Sequence, residues 1–386
     1  MRIYVTTQGA RIVREGSHLL VKKGEDTYHT LFVAKLSQVI ICGRVELTSS
    51  ALRILLKQGI DTVFLTKDGR YLGRLASPES KNFFIRKRQF SLIDNQEFTL
   101  SFCRSVLYGK ITSQYMLLMR ISRTRKINDC KYKAKEIKAI RARLNEVSTV
   151  DQLRGLEGRA SAIYFQGLQR GFLKNHGFFR RVRRPPTDPV NAVLSLLYTF
   201  LFNRVYSSIR QANLDPYVGF LHAPDYGRLA LVMDLMEEFR TIIADTLTLS
   251  LFNLNILQKN DFVVEQPKPD TSLSVSEGDV PDIVADKYGL MSETDENRVF
   301  DLPPQRMDDI ADKQEQEDNQ GKLPVKLKPD AFKRVIENFE RKLTTEIHHP
   351  VEDRKMTYND AIVAQARLFR QVIVGERKVY EPLILK

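Results

Sequence analysis

Near Pro78 the hydrophobic pattern of this chain changes period, and that switch limits its architecture more than any other feature. Upstream, apolar residues come in short runs: Ile3-Tyr4-Val5, Leu19-Leu20-Val21, Val39-Ile40-Ile41 and Thr62-Val63-Phe64-Leu65. Gly9, Gly16, Gly24, Gly43 and Gly69 punctuate them, and Lys67-Asp68-Gly69-Arg70 suits a tight hairpin turn. One helix is predicted among these strands, capped by Ser49-Ser50, running from Ala51 to Lys57 and stopped by Gly59. Downstream, long segments of 3.6-residue period dominate and strand signals nearly vanish. Helices are predicted over about 81–94, 97–123, 131–145, 149–173, 190–211, 228–258, 329–345 and 357–374. Asp188-Pro189 opens the fifth as N-cap and first helical residue, and Thr149 with Gln152 forms a capping-box pattern. The expected fold class is α+β. A β-rich domain covers 1–80, a linker or first helix 81–96, and a larger all-α domain 97–386.

The 386-residue length suffices for such domains with buried cores, and 42% hydrophobic with 28% charged residues is ordinary for a globular protein. A net charge of +13 is not ordinary, and it points to a polyanionic partner. The charge is also uneven. Residues 265–320 hold 16 acidic against 5 basic residues, which leaves the remainder near +24. This acidic stretch is rich in Pro, Ser, Asp and Gln, so it is expected as a flexible or partly helical insertion. Its sign would let it fold over the basic surface and compete with nucleic acid, although a plain solvated loop is the simpler reading. Cys42, Cys103 and Cys130 are far apart with no CxxC pair, as expected of a reduced, cytoplasmic protein without structural zinc. The apolar run Val193 to Phe202 is read as a buried core helix and not as a membrane span.

The segment DPYVGFLHAPDYGRLALVMDLMEEFR, residues 215–240, concentrates the chemistry. It sets His222 in a Pro-containing loop and follows it with a helix bearing Asp234, Glu237 and Glu238. Imidazole and carboxylates within one loop-helix unit suit a divalent metal. A loop histidine alone is more simply a packed side chain, and the acids alone a solvated patch. The crowd of apolar neighbours, Leu229 to Met236, argues against the second reading. In GLEGRASAIYF, Glu157 shares a face with Ala160, Ser161 and Tyr164, where an inward carboxylate needs a partner. Spacing equally allows a first-turn Glu meeting its helix dipole. Arg180, Arg181, Arg183 and Arg184 form the basic cluster best suited to DNA phosphates; the Arg123 to Arg143 segment reads equally as a solvated face.

The ordered series GLEGRASAIYF, RRPPTDPVNAVLSLLYTFLF, LDPYVGFLH and LALVMDLMEEFR resembles the Cas-one (Cas1) family of CRISPR-associated spacer-acquisition integrases and endonucleases. The resemblance extends to the C-terminal ERKLTTEIHHP and YNDAIVAQARLFRQVIVGERKVYEPL, and is weaker over 1–80. It implies a catalytic helical domain in which Glu157, His222 and Glu237 bind Mg²⁺ or Mn²⁺, with Asp234 nearby and Asn191 and Tyr198 supporting the site. It implies action on double-stranded DNA, joining captured fragments to a repeat array by 3′-hydroxyl attack in CRISPR antiviral defence. It also implies a homodimer formed through the β domains and a small Cas-two partner bridging two dimers. The acidic stretch departs from shorter family members. The competing readings are a non-catalytic DNA-binding scaffold and a structure-specific repair nuclease.

Overall fold

The computed structural model describes residues 1–75, 82–182, 185–223, 225, 227–264 and 323–385. The period switch near Pro78, Arg183, Arg184 and the acidic stretch 265–320 lie outside the described residues.

The N-terminal part forms two four-stranded sheets and one helix. Strands β1 (Arg2–Val5), β5 (Gln38–Cys42), β7 (Asp61–Leu65) and β8 (Tyr71–Leu75) make the first sheet in that order. β1, β5 and β7 run parallel, and β8 returns antiparallel to β7 through the Lys67–Arg70 turn. Gly69 takes φ +86° there, which only glycine adopts without strain. The second sheet is ordered β4 (Asp26–Phe32), β3 (His18–Lys23), β2 (Ala10–Glu15) and β6 (Val45–Leu47). Helix α1 (Ser49–Lys57) packs on this pair, capped by Thr48, one residue earlier than the Ser49-Ser50 expectation, with Thr48 Oγ1 accepting from Ala51 N. β5 is buried on both faces. Val39 and Ile41 enter the core of the β part, whereas Ile40 and Cys42 enter the helical core. The two-residue period thus welds the parts together.

The helical body comprises α2 (Phe83–Ser91), α3 (Gln96–Arg125), α4 (Asn128–Ala142), α5 (Val150–Gln169), α6 (Pro189–Gln211), α7 (Ala230–Phe239), α8 (Thr246–Asn253), α9 (Pro329–Leu343) and α10 (Tyr358–Val374). A π-helical turn, Arg240–Asp245, joins α7 to α8. The predicted caps at Asp188 and at Thr149 with Gln152 both form. By length and hydropathy α6 is capable of crossing a membrane, but 78% of its apolar window is buried inside the protein. Among the described residues, two antiparallel ribbons interrupt the expected all-helical pattern. β9 (Phe262–Val264) pairs with β10 (Val325–Leu327), and β11 (Glu346–His349) with β12 (Arg354–Thr357). The first pair holds together the two flanks of the acidic stretch.

A polar seam completes the junction between β part and helical body. Arg204 on α6 donates to Gln38 Oε1 at 2.9 Å and pairs with Glu340, while Ser207 and Gln38 both donate to Asp61 Oδ2 at 2.6 Å. Arg74 meets the other oxygen of Asp61 at 2.7 Å. Buried charges are tolerated here because each has a counter-charge or directed hydrogen bonds.

Candidate metal centre

Helix α7 is buried on every side, and three of its ten residues are carboxylates. Asp234, Glu237 and Glu238 are 0%, 1% and 0% exposed. Leaving any of them without compensation would cost several kcal/mol, on the order of the penalty for an unpaired buried ion. The helix resolves this by aiming each at a different set of partners.

Asp234 holds the loop that precedes the helix. Its Oδ2 accepts from the backbone N–H of Phe220 at 2.6 Å and Leu221 at 3.0 Å, and its Oδ1 from His222 N at 2.9 Å. Oδ1 also lies 2.7 Å from His222 Nδ1. A carboxylate on that nitrogen selects the tautomer with the proton on Nδ1, leaving the Nε2 lone pair free for a metal. The loop is fixed from other sides too. Arg154 of α5 donates to Leu221 O at 2.7 Å, and Gln89 of α2 donates to Asp215 O and Val218 O at 2.9 Å. Gly219 is required, because a Cβ there would sit 2.5 Å from the Ala230 carbonyl carbon.

Glu237 forms the centre. Its Oε2 lies 2.7 Å from Lys110 Nζ on α3, and its Oε1 lies 3.1 Å from Arg240 Nε and 3.9 Å from His222 Nε2. Lys110 and Arg240 thus compensate the buried charge of Glu237 by ion pairing, one on each oxygen. Burial alone would raise this carboxyl, but Arg240, Lys110 and His222 outweigh it and hold Glu237 at about 2. Because its pKa is depressed, the stability Glu237 contributes is present above the ordinary carboxylate range and is lost as pH falls toward about 2.

Glu157 faces Glu237 from α5. It lies in the third turn, past the reach of the N-terminal dipole, which removes the first-turn reading. Its Oε1 accepts from Ser161 Oγ at 2.8 Å and pairs with Lys110 Nζ, the same ammonium that meets Glu237. Burial raises the carboxyl, and Lys110 lowers it further, so the net shift is downward. Lys110 thus links Glu157 to one oxygen of Glu237 while His222 approaches the other, with Glu157 23% and His222 15% exposed. Among the described residues, no group of three or more His, Cys, Asp or Glu side chains is arranged so that it could hold a metal ion as it stands. The donor types nonetheless fit a divalent ion: an available imidazole nitrogen and two carboxylates, with an ammonium bridging the carboxylates.

The remaining candidates flank this point. Tyr198 donates to Asp245 Oδ1 at 2.7 Å and lies between Arg181, 5.3 Å from its ring centroid, and Arg240, 4.7 Å from it. Tyr164 takes the other oxygen of Asp245 at 2.6 Å. The π turn, a geometry often retained at functional sites, starts at Arg240 and ends at Asp245. Asn191 secures the basic loop: Oδ1 accepts from Val182 N and Arg181 Nη1, and Nδ2 donates to Arg180 O, each at 2.9 Å. Arg181 itself turns inward, donating also to Val182 O and Ser195 Oγ, whereas Arg180 is exposed. Sequence reasoning missed Lys110 and Arg240. Arg240 closed the very segment that drew attention, at i+3 from Glu237, and Lys110 is a lone charge between Gly109 and Ile111.

Glu238 serves the C-terminal tail. It accepts from Gln365 Nε2 at 2.8 Å and Leu383 N at 2.6 Å, and from the Tyr380 hydroxyl. Burial pushes it up to about 7 against the pull of these donors. A raised carboxyl contributes stability below its unfolded pKa and loses it as pH rises through about 7. Glu238→Gln is therefore expected to flatten the stability loss between pH 5 and 8 by roughly 2–3 kcal/mol, measured by urea unfolding at both pH values. Parallel pH profiles for variant and wild type would contradict this.

Comparison with known proteins places these features in a family. A family model described as CRISPR associated protein Cas1 matches residues 3–276. A Thermus thermophilus protein named CRISPR-associated endonuclease Cas1 3 is 28% identical over 390 residues, covering 100% of this chain and 97% of its own. Among solved structures, a Cas6-RT-Cas1–Cas2 complex aligns with TM-score 0.75 at 20% identity, covering 100% of this chain and 36% of that longer one. A casposase bound to integration product aligns with TM-score 0.75 at 18% identity, covering 98% and 92%.

Proposed function

The chain belongs to the CRISPR-associated Cas1 family, and we propose that it is a divalent-metal-dependent DNA integrase with associated endonuclease activity. The observation that supports this most is the buried carboxylate of Glu237, which is linked through Lys110 to Glu157 on one oxygen and lies 3.9 Å from His222 Nε2 on the other. The likeness in fold to a casposase bound to its integration product is in keeping with strand transfer.

In this reading Glu157, His222 and Glu237 hold Mg²⁺ or Mn²⁺, the latter accepting the imidazole more readily. When bound, the ion supplies Lewis-acid stabilisation of charge developing on the phosphodiester. Asp234 fixes the proton on His222 Nδ1 and so presents Nε2. Arg240, stacked on Tyr198, keeps Glu237 ionised and adds positive charge beside the phosphate. The nucleophile is the 3′-hydroxyl of a captured DNA fragment at a repeat boundary. Its oxygen forms a new P–O bond as the bond to the departing strand breaks, and its proton ends on solvent. One phosphodiester replaces another, so no nucleotide cofactor is needed. Water in place of the hydroxyl gives nicking.

Double-stranded DNA is held mainly through phosphates, in keeping with the net charge of +13. We place the protein in the cytoplasm as a homodimer joined through its β domains and assembled with a small Cas2 partner. The likeness to part of a Cas6-RT-Cas1–Cas2 complex is in keeping with the Cas2 partner.

A strand-transfer assay on Glu157→Ala and His222→Ala tests the proposal. Joining is expected to fall by about a hundredfold or more in each, with DNA binding largely kept. Unaltered joining in both would sink the metal assignment and favour a scaffold. Cleavage of branched DNA without need for a repeat sequence or second protein would favour a repair nuclease.

A further inference from the structure

Lys110 bridges two of the three side chains proposed above to hold the metal. It is carried by the middle of α3, its side chain is only 8% exposed, and its ammonium touches both Glu157 Oε1 and Glu237 Oε2. Two desolvated carboxylates facing one point repel, and without a cation one of them would take up a proton. Lys110 prevents that by tethering a positive charge between them.

Resting on the metal reading above, we infer that Lys110 competes with the metal for Glu157 and Glu237 and thereby makes metal loading depend on DNA. The local charge makes the case. Asp234, Glu237 and Glu157 supply three negative charges against Lys110 and Arg240. Adding a dication while both bases stay would overcharge a buried site. Arg240 is not free to leave, because it packs on Tyr198 and sits beside Glu237. Lys110 is the mobile one: its ammonium is a compact charge on a flexible four-carbon stem. A DNA phosphate offers the displaced ammonium a new partner and restores the charge balance. Metal and DNA therefore bind with positive coupling, and by linkage each strengthens the other equally. The site stays poorly loaded until DNA arrives.

The test is Mn²⁺ binding by the full-length protein, read from the electron paramagnetic resonance signal of free Mn²⁺. Wild type, Lys110→Met and Glu157→Gln are compared with and without a DNA duplex carrying 3′ overhangs. Lys110→Met is expected to bind Mn²⁺ at least about tenfold more tightly without DNA. DNA should then tighten Mn²⁺ binding more in wild type than in the variant. Equal or weaker Mn²⁺ binding by a folded Lys110→Met protein overturns the inference, while loss of binding in Glu157→Gln leaves the metal centre intact as a reading. No Mn²⁺ binding by wild type even with DNA, or binding indifferent to Glu157→Gln, defeats the metal centre itself. If Lys110→Met does not fold, a wild-type crystal loaded with Mn²⁺ decides: Lys110 Nζ must have parted from at least one carboxylate, and an undisturbed bridge beside bound Mn²⁺ overturns the inference.

Discussion

Glu237→Gln is expected to lower strand transfer by about a thousandfold or more, a loss of roughly 4 kcal/mol in transition-state stabilisation. Glutamine fills the same space, so the effect isolates charge from packing. Its amide would also point hydrogens at a site that already holds Lys110 and Arg240, so the variant should be less stable by about 2–3 kcal/mol. The adjacent Glu238→Gln is the natural control. It lies on the same buried helix but faces Gln365, Tyr380 and the tail at Leu383, so joining should survive. Equal losses in both variants would mean that α7 matters only as a packed helix.

The second large effect is expected at a residue that touches no substrate. Asp234→Asn keeps one acceptor oxygen where Asp234 uses two, so part of the network of Phe220, Leu221 and His222 must break. Orphaned buried N–H groups cost about 1–3 kcal/mol each, and a loss of roughly 3 kcal/mol in stability follows. His222 also loses the partner that fixes its tautomer, so Mn²⁺ affinity should fall about 10–100-fold. Isothermal titration of the DNA-bound protein with Mn²⁺ checks this, alongside urea unfolding. Unchanged affinity in a destabilised variant would leave Asp234 a purely structural clamp.

These effects show which features were legible in the sequence. Among the described residues, hydrophobic period located every helix of the body, because buried faces repeat regardless of context, but it ran α7, the π turn and α8 together as one helix over 228–258. The ribbons β9–β10 and β11–β12 escaped because three or four residues are too few to display a period. The cap at Thr48 was misplaced by one residue, since Thr48, Ser49 and Ser50 all suit the position and only geometry chooses among them. At the candidate site, Glu157, His222 and Glu237 were nameable only through resemblance; spacing left each with a plainer alternative. Lys110 was illegible for a different reason. Its partner Glu157 is 47 residues away, and nothing in the sequence of α3 distinguishes a bridging lysine from a solvated one. Arg181 shows the converse: it reads as a phosphate contact but is spent on Val182, Asn191 and Ser195. Charge in a sequence does not tell which way a side chain turns.

The most direct test of the central claim is a crystal structure of the protein with Mn²⁺ and DNA, using anomalous scattering at the manganese edge. The account predicts one peak with His222 Nε2 and carboxylate oxygens of Glu157 and Glu237 at roughly 2.0–2.4 Å. A saturating Mn²⁺ concentration with no peak at these three side chains, or a peak bound elsewhere, would contradict it.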